Sequence, residues 1–133
     1  MRKGKEKGQS LVEVALVIPI MLVILAGVLD LGRLYYVTVA LTDAAAEGAA
    51  YAAIHPSDGD GVVDRAQTAS SELVQIDPDQ VTYDCPAITA GATVTVTVGY
   101  DFTLATPVIN AMVPDGVLRL RGVAAETILS GGM

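Results

Sequence analysis

The chain has 133 residues, a length that suits one small domain, and 52% of these residues are hydrophobic. Its formal net charge is −7 at pH 7, and from Asp30 onward four basic residues face thirteen acidic ones, which argues against nucleic acid or an anionic lipid surface as a partner. The single cysteine, Cys85, excludes a framework of intrachain disulfide bonds.

Residues 1–29 predict a membrane helix that follows a cytoplasmic leader. The apolar run from Leu11 to Leu29 is interrupted only at positions 13, 19 and 27, and at about 1.5 Å per residue it spans roughly 28 Å. Basic residues precede it, at Arg2, Lys3, Lys5 and Lys7. By the positive-inside rule, residues 1–8 are cytoplasmic, residues 9–29 cross the membrane and the remainder lies outside the cytoplasm. A cleaved secretory signal fits less well, because its apolar core is usually about 7–15 residues long and a small-x-small site follows closely.

Glu13 lies inside the apolar run, five residues beyond Gly8. Acidic side chains within the hydrocarbon are costly and are usually kept for pairing or relay, although near the membrane edge Glu13 would instead reach headgroups or water. A basic leader that ends in glycine, with an acid at this distance, resembles the processing site of type IV pilins. The resemblance implies that a prepilin peptidase cuts between Gly8 and Gln9, and that Glu13 then meets the new α-amino group of a neighbouring subunit.

The membrane helix is predicted to continue outward as a helical stalk over residues 30–55, because no strong breaker occurs before Pro56. Asp30 and Arg33 are spaced i, i+3 at the membrane exit, where they either pair or fix the end of the apolar span. Two stripes of small residues follow, at Ala44, Gly48 and Ala52 and at Ala45, Ala49 and Ala53. Small residues four apart permit close helix packing, and we expect packing within the chain rather than between subunits.

Three segments together resemble the TadE-like proteins of the tight-adherence (Tad) pilus system: GQSLVE at residues 8–13, GVLDLGR at residues 27–33 and AAAEGA at residues 44–49. The resemblance covers Gly8 to about Ala53. It implies a pseudopilin, a minor component of the cytoplasmic (inner) membrane that takes part in assembling an adhesive pilus or a related secretion apparatus. The implied partners are the membrane, other pilins or pseudopilins, assembly-platform proteins and a prepilin peptidase.

Residues 56–133 predict a small α+β extracytoplasmic domain that begins with a turn-rich loop and a helix. The acids of the loop at residues 56–61 lack the spacing of a calcium-binding EF-hand. Asp60 is instead expected to cap a second helix over about residues 62–74. Its predicted inward residues are Val62, Ala66, Ala69 and Leu73.

Three strands follow in the sequence. Alternation predicts a long strand with Val94, Val96, Val98, Tyr100, Phe102 and Leu104 inward, a shorter one with Val81, Tyr83 and Cys85 inward, and a third from Val117 to about Ile128. In the third strand the apolar phase shifts from Leu118 and Leu120 to Val123 and Ala125, which predicts a β-bulge at Gly122. The expected fold is α+β, with a three-stranded, mostly antiparallel, pilin-like sheet packed on helices.

The residue inventory indicates a structural protein rather than an enzyme. His55 is expected at a solvated helix end and Cys85 in the core, and no nucleophile–base pair, phosphate loop or metal-ligand cluster can be assembled. We therefore expect no cofactor, no metal and no small-molecule substrate. The alternative to a pseudopilin is a permanently membrane-tethered binding module whose acidic domain engages a secretion complex; an anchored enzyme is a remote third hypothesis.

Overall fold

The computed structural model describes residues 5–70 and 74–129 and has the predicted α+β fold. Its elements in chain order are α1 (Lys5–Ile54), α2 (Gly59–Ser70), β1 (Val81–Asp84), β2 (Thr93–Thr103), α3 (Pro107–Asn110) and β3 (Val117–Thr127). The chain divides into two compact units. The first comprises Met1–Arg33 and Thr103–Val117, and the second comprises Leu34–Phe102 and Leu118–Met133.

Helix α1 has the length and composition of a candidate membrane anchor. Between Gly8 and Ile54 it contains a stretch long and apolar enough to cross a bilayer, and Pro19 does not end the helix. The large apolar side chains from Leu11 to Leu29 are 43–71% exposed. Side chains of this kind require lipid or other helices around them, because no part of the described chain covers them.

Helix α2 begins earlier than the sequence indicates, and its capping residue is Asp58 rather than Asp60. The Asp58 carboxylate accepts a hydrogen bond from the Gly61 amide at 3.0 Å, which satisfies an N–H group that a helix start leaves unpaired. Asp60 instead lies in the first turn. The two acids are two positions apart, so composition alone does not distinguish them.

The inward face of α2 agrees with the prediction in its first two turns only. Val62 and Ala66 are buried as expected. Ala69 is exposed, and Ser70 is buried in its place, with its hydroxyl donating to the backbone carbonyls of Ala66 and Gln67. The predicted core residue Leu73 lies outside the described residues.

The sheet is antiparallel with the strand order β1-β2-β3. Val81 of β1 pairs with Val98 of β2, and Asp84 pairs with Thr95. The alternation of β2 is confirmed, because Val94, Val96, Val98 and Phe102 are buried and Tyr100 is half-buried. Leu104 is half-buried and lies one residue beyond the end of β2.

The predicted phase shift in β3 is wrong. Even-numbered residues continue to face inward through Gly122, which is buried, and Ala124, which is half-buried, whereas Val123 is 53% exposed. A Cβ at Gly122 would overlap the carbonyl of Leu41 in α1. The glycine is therefore a point at which the helix backbone comes very close to the strand, and no change of strand phase is needed to explain it.

Candidate functional site

The predicted processing and assembly residues lie on exposed turns of α1. Gly8, Gln9 and Glu13 are all exposed, and the Gln9 amide donates to the Glu13 carboxylate at 3.5 Å. Apart from its chain neighbours and the helix's own backbone, no atom of the described residues lies within 4 Å of the position that a Cβ would occupy on Gly8. The peptide bond after Gly8 is helical, so a peptidase would have to unwind the first turns of α1, and helix ends fray readily.

Asp30 is a buried charged residue of the first unit. Its carboxylate is only 3% exposed, and it accepts hydrogen bonds from the amides of Ala105 and Thr106 at 3.1 and 2.8 Å and from the Thr106 hydroxyl at 2.6 Å. The expected pair with Arg33 is present at 3.5 Å, and the Arg33 side chain is 58% exposed. Charge-assisted hydrogen bonds to Asp30 therefore attach the segment after β2 to helix α1.

This role of Asp30 was not predicted, because its hydrogen-bonding partners lie 75 and 76 positions further along the chain. The sequence does carry one local signal. Thr106 followed by Pro107 is a typical helix start, and the short helix α3 begins there with Thr106 at its N-cap. The side chain of Thr106 nevertheless bonds Asp30 of α1 and does not cap its own helix.

The small-residue stripes of α1 pack inside the second unit. All six of their members are buried there: Ala44, Ala45, Gly48, Ala49, Ala52 and Ala53. A Cβ on Gly48 would lie 3.2 Å from Val96 Cγ1 and 3.4 Å from Ala66 Cβ, so both β2 and α2 approach the helix at this residue. These surfaces are therefore covered by the chain's own sheet and second helix.

The outward face of the sheet forms a shallow polar groove that the sequence did not reveal. Its lining includes Gln80, Thr82, Thr97, Gly99, Arg119 and Arg121. Arg119 lies 3.9 Å from the Asp101 carboxylate, and both side chains are largely exposed, so this ion pair contributes little to stability. The groove brings together two of the four basic residues that follow position 30.

The residues around the end of α1 have structural contacts. His55 stacks on Tyr51 with ring centroids 4.6 Å apart, and the Tyr51 hydroxyl donates to Asp58 at 2.8 Å. That bond, with the one from the Gly61 amide, lowers the pKa of Asp58.

Tyr83 and Cys85 lie where β1 ends. The Tyr83 hydroxyl donates to the carbonyl of Pro56. Burial, and then the neighbouring Cys85, raise the pKa of Tyr83 to about 12. Cys85 is half-buried and packs against the core, with its Sγ 3.6 Å from the carbonyl of Ala87. Within residues 5–70 and 74–129, no cluster of three His, Cys, Asp or Glu side chains has the arrangement of a metal site.

Comparison with known proteins gives one match. The family model described as TadE-like protein matches residues 8–50, which lie entirely within α1. No curated protein and no solved structure matches the chain. Residues 8–50 are thus a TadE-like segment, and the resemblance that the sequence motifs predicted is confirmed over that part of the chain.

Proposed function

We propose that this protein is a membrane-anchored pseudopilin that takes part in assembling a Tad-type adhesive pilus or a related secretion apparatus. The observation that carries the proposal is the TadE-like match over residues 8–50, which includes Gly8, Gln9 and Glu13 in the order that pilin processing requires. In this proposal a prepilin peptidase removes residues 1–8. The processed chain then begins at Gln9 and keeps its apolar helix.

The chemistry of Glu13 supports a contact between subunits. The carboxylate is exposed on α1 among apolar residues, and its hydrogen bond to Gln9 is long at 3.5 Å. In an apolar environment an ionised carboxylate gains most from a cationic partner. Cleavage after Gly8 would create such a partner, because each processed subunit would begin with a charged α-amino group.

The exposed surface of the helix supports the same proposal. The apolar side chains from Leu11 to Leu29 are uncovered, whereas the small-residue stripes further along α1 are already packed against the sheet and α2. The N-terminal part of α1 therefore offers apolar surface to lipid or to neighbouring pilin helices. Anchoring in the cytoplasmic membrane, with the C-terminal part outside the cytoplasm, follows in this proposal from the basic leader.

A charge-neutral substitution of Glu13 tests the proposal. In cells that assemble the pilus, Glu13→Gln should abolish or strongly reduce piliation while the protein remains in the membrane at its normal level. Glu47→Gln is the matched control, because Glu47 is an exposed acid on the same helix. Normal piliation in both variants would contradict the assigned role of Glu13.

The groove on the sheet favours a second candidate, a permanently tethered binding module. Arg119 and Arg121 lie on the same open face beside Gly99, where a partner's backbone has room to approach. These two arginines, of which Arg119 lies beside the Asp101 carboxylate, suit an acidic segment of a secretion component. Function that survives Glu13→Gln but is lost in Arg121→Gln, with residues 1–8 retained, would favour this candidate over the pseudopilin.

A further inference from the structure

We propose that residues 104–113, the loop that contains α3, insert into the extracytoplasmic membrane–water interface beside α1 and give the protein a second contact with the lipid bilayer. The inference rests on the proposed function in one respect, which is that α1 crosses a membrane. The partner of this loop is the lipid surface, and the contact between them is apolar rather than electrostatic.

Contacts inside the first unit set the depth of this loop along α1. The Cδ1 atom of Ile109 lies 3.4 Å from the position that a Cβ would occupy on Gly27, and Gly27 belongs to the predicted membrane span. The amides of Ala105 and Thr106 bind the carboxylate of Asp30. At a rise of about 1.5 Å per residue, Gly27 lies roughly 4.5 Å deeper than Asp30. The loop therefore extends past Asp30 to the level at which the hydrocarbon begins.

The side chains of the loop suit that depth. Residues 102–114 contain no charged residue, although the sequence that follows position 30 is strongly acidic. Two apolar side chains of the loop point away from the chain: Val108 is 56% exposed and Met112 is 81% exposed. Interfacial segments bury such residues about 5–10 Å into the boundary between headgroups and acyl chains.

The backbone of the loop is also compatible with a partly apolar environment, where each unpaired amide is costly. The amide of Asn110 bonds the carbonyl of Thr106 at 2.9 Å, and the amide of Ala111 bonds the carbonyl of Pro107 at 3.1 Å. Pro107 has no amide hydrogen to satisfy. The amides of Ala105 and Thr106 are satisfied by Asp30, so these amides and those of residues 110–113 already have acceptors within the chain.

Single exposed apolar residues are common on protein surfaces and need no partner. Val123 is an example, because it is 53% exposed on the outward side of β3, two positions after the exposed and charged Arg121. The loop differs in that exposure, absence of charge and contact with the predicted span coincide in one segment. Val123 therefore provides a matched control.

Tryptophan fluorescence tests the proposal directly, because the chain contains no tryptophan. Single-tryptophan variants of the full chain, Met112→Trp, Val123→Trp and Leu22→Trp, would be reconstituted in phosphatidylcholine vesicles. The vesicles would carry lipids brominated either near the headgroup or deep in the acyl chain. Val108→Trp repeats the test at a second loop position, in case Met112→Trp disturbs the fold.

We expect the emission of Met112→Trp to shift to shorter wavelength and to be quenched by the shallow bromines, while Val123→Trp shows neither effect. Leu22→Trp should be quenched by the deep bromines. If Leu22→Trp is quenched but both loop variants behave like Val123→Trp, the interfacial loop is refuted and the membrane span stands. A blue shift in the loop variants without quenching by lipid would mean that protein covers the loop, which also overturns the proposal. If Leu22→Trp is not quenched, the anchor itself is absent, and the proposed function fails together with the inference.

Discussion

Replacing Gly122 by alanine tests the close approach of β3 to α1 in the second unit. The added Cβ would overlap the carbonyl of Leu41 and lie 2.6 Å from the amide nitrogen of Thr42. Both are backbone atoms within a helix, so they cannot rotate aside as a side chain can. An extra methyl group in a packed contact costs about 1–3 kcal/mol. This cost outweighs the roughly 0.5–1 kcal/mol that alanine gains over glycine in an unobstructed strand.

Scanning calorimetry of the full chain in detergent micelles would measure this loss as a change in Tm. For a domain of about 60–100 residues, each kcal/mol lowers Tm by roughly 4–8 °C. Gly99→Ala is the matched control, because a Cβ there would lie 3.6 Å from the carbonyl of Gln80, which is an ordinary contact. We expect Gly122→Ala to unfold at clearly lower temperature than Gly99→Ala. Equal Tm values in the two variants would refute the close approach and the assignment of β3 that depends on it.

Two further predictions concern aspartates that bind backbone amides. Asp30→Ala removes the acceptor of the amides at positions 105 and 106, so both should exchange hydrogen faster, whereas Asp30→Asn, which keeps one acceptor oxygen, should have a smaller effect. Unchanged exchange in Asp30→Ala would contradict the attachment of the loop to α1. Asp58 has a lowered pKa in the folded chain, so its contribution to stability is present above its unfolded pKa of about 4 and is lost as pH falls through the lower folded value. Asp58→Asn should therefore lose less stability than wild type between pH 5 and pH 2. The Tm of both proteins would be measured by thermal unfolding at steps of about one pH unit, and parallel profiles of Tm against pH would contradict the capping role.

The sequence was sufficient for those features that depend on a local pattern of apolar or small residues. The apolar run from Leu11 to Leu29 predicted the membrane part of α1, and the alternation from Val94 to Phe102 predicted the inward face of β2. The small residues at Ala44 and Gly48 indicated a close packing surface, and the structure places both inside the second unit. In each case the pattern is local and involves neighbouring positions only, so no knowledge of distant residues was needed.

The features that were missed depend on contacts that a pattern does not encode. The inward position of Gly122 has no side chain to mark it, so the apolar residues on either side suggested a change of phase that does not occur. The role of Asp30 depends on a segment about 75 positions away. The choice of Asp58 over Asp60 as the cap depends on where the chain turns after α1, which neither acid reveals.

The most direct test of the account is the intact mass of the protein purified from its own membranes, measured beside two glycine variants. Gly8→Ala and Gly32→Ala are equivalent structurally, because both glycines lie on α1 and the added Cβ would have no described atom within 4 Å apart from chain neighbours and the helix's own backbone. We expect wild type and Gly32→Ala to begin at Gln9, whereas Gly8→Ala retains residues 1–8. If the wild-type chain also retains residues 1–8, cleavage is not part of its function, and the pseudopilin proposal gives way to a permanently tethered binding module.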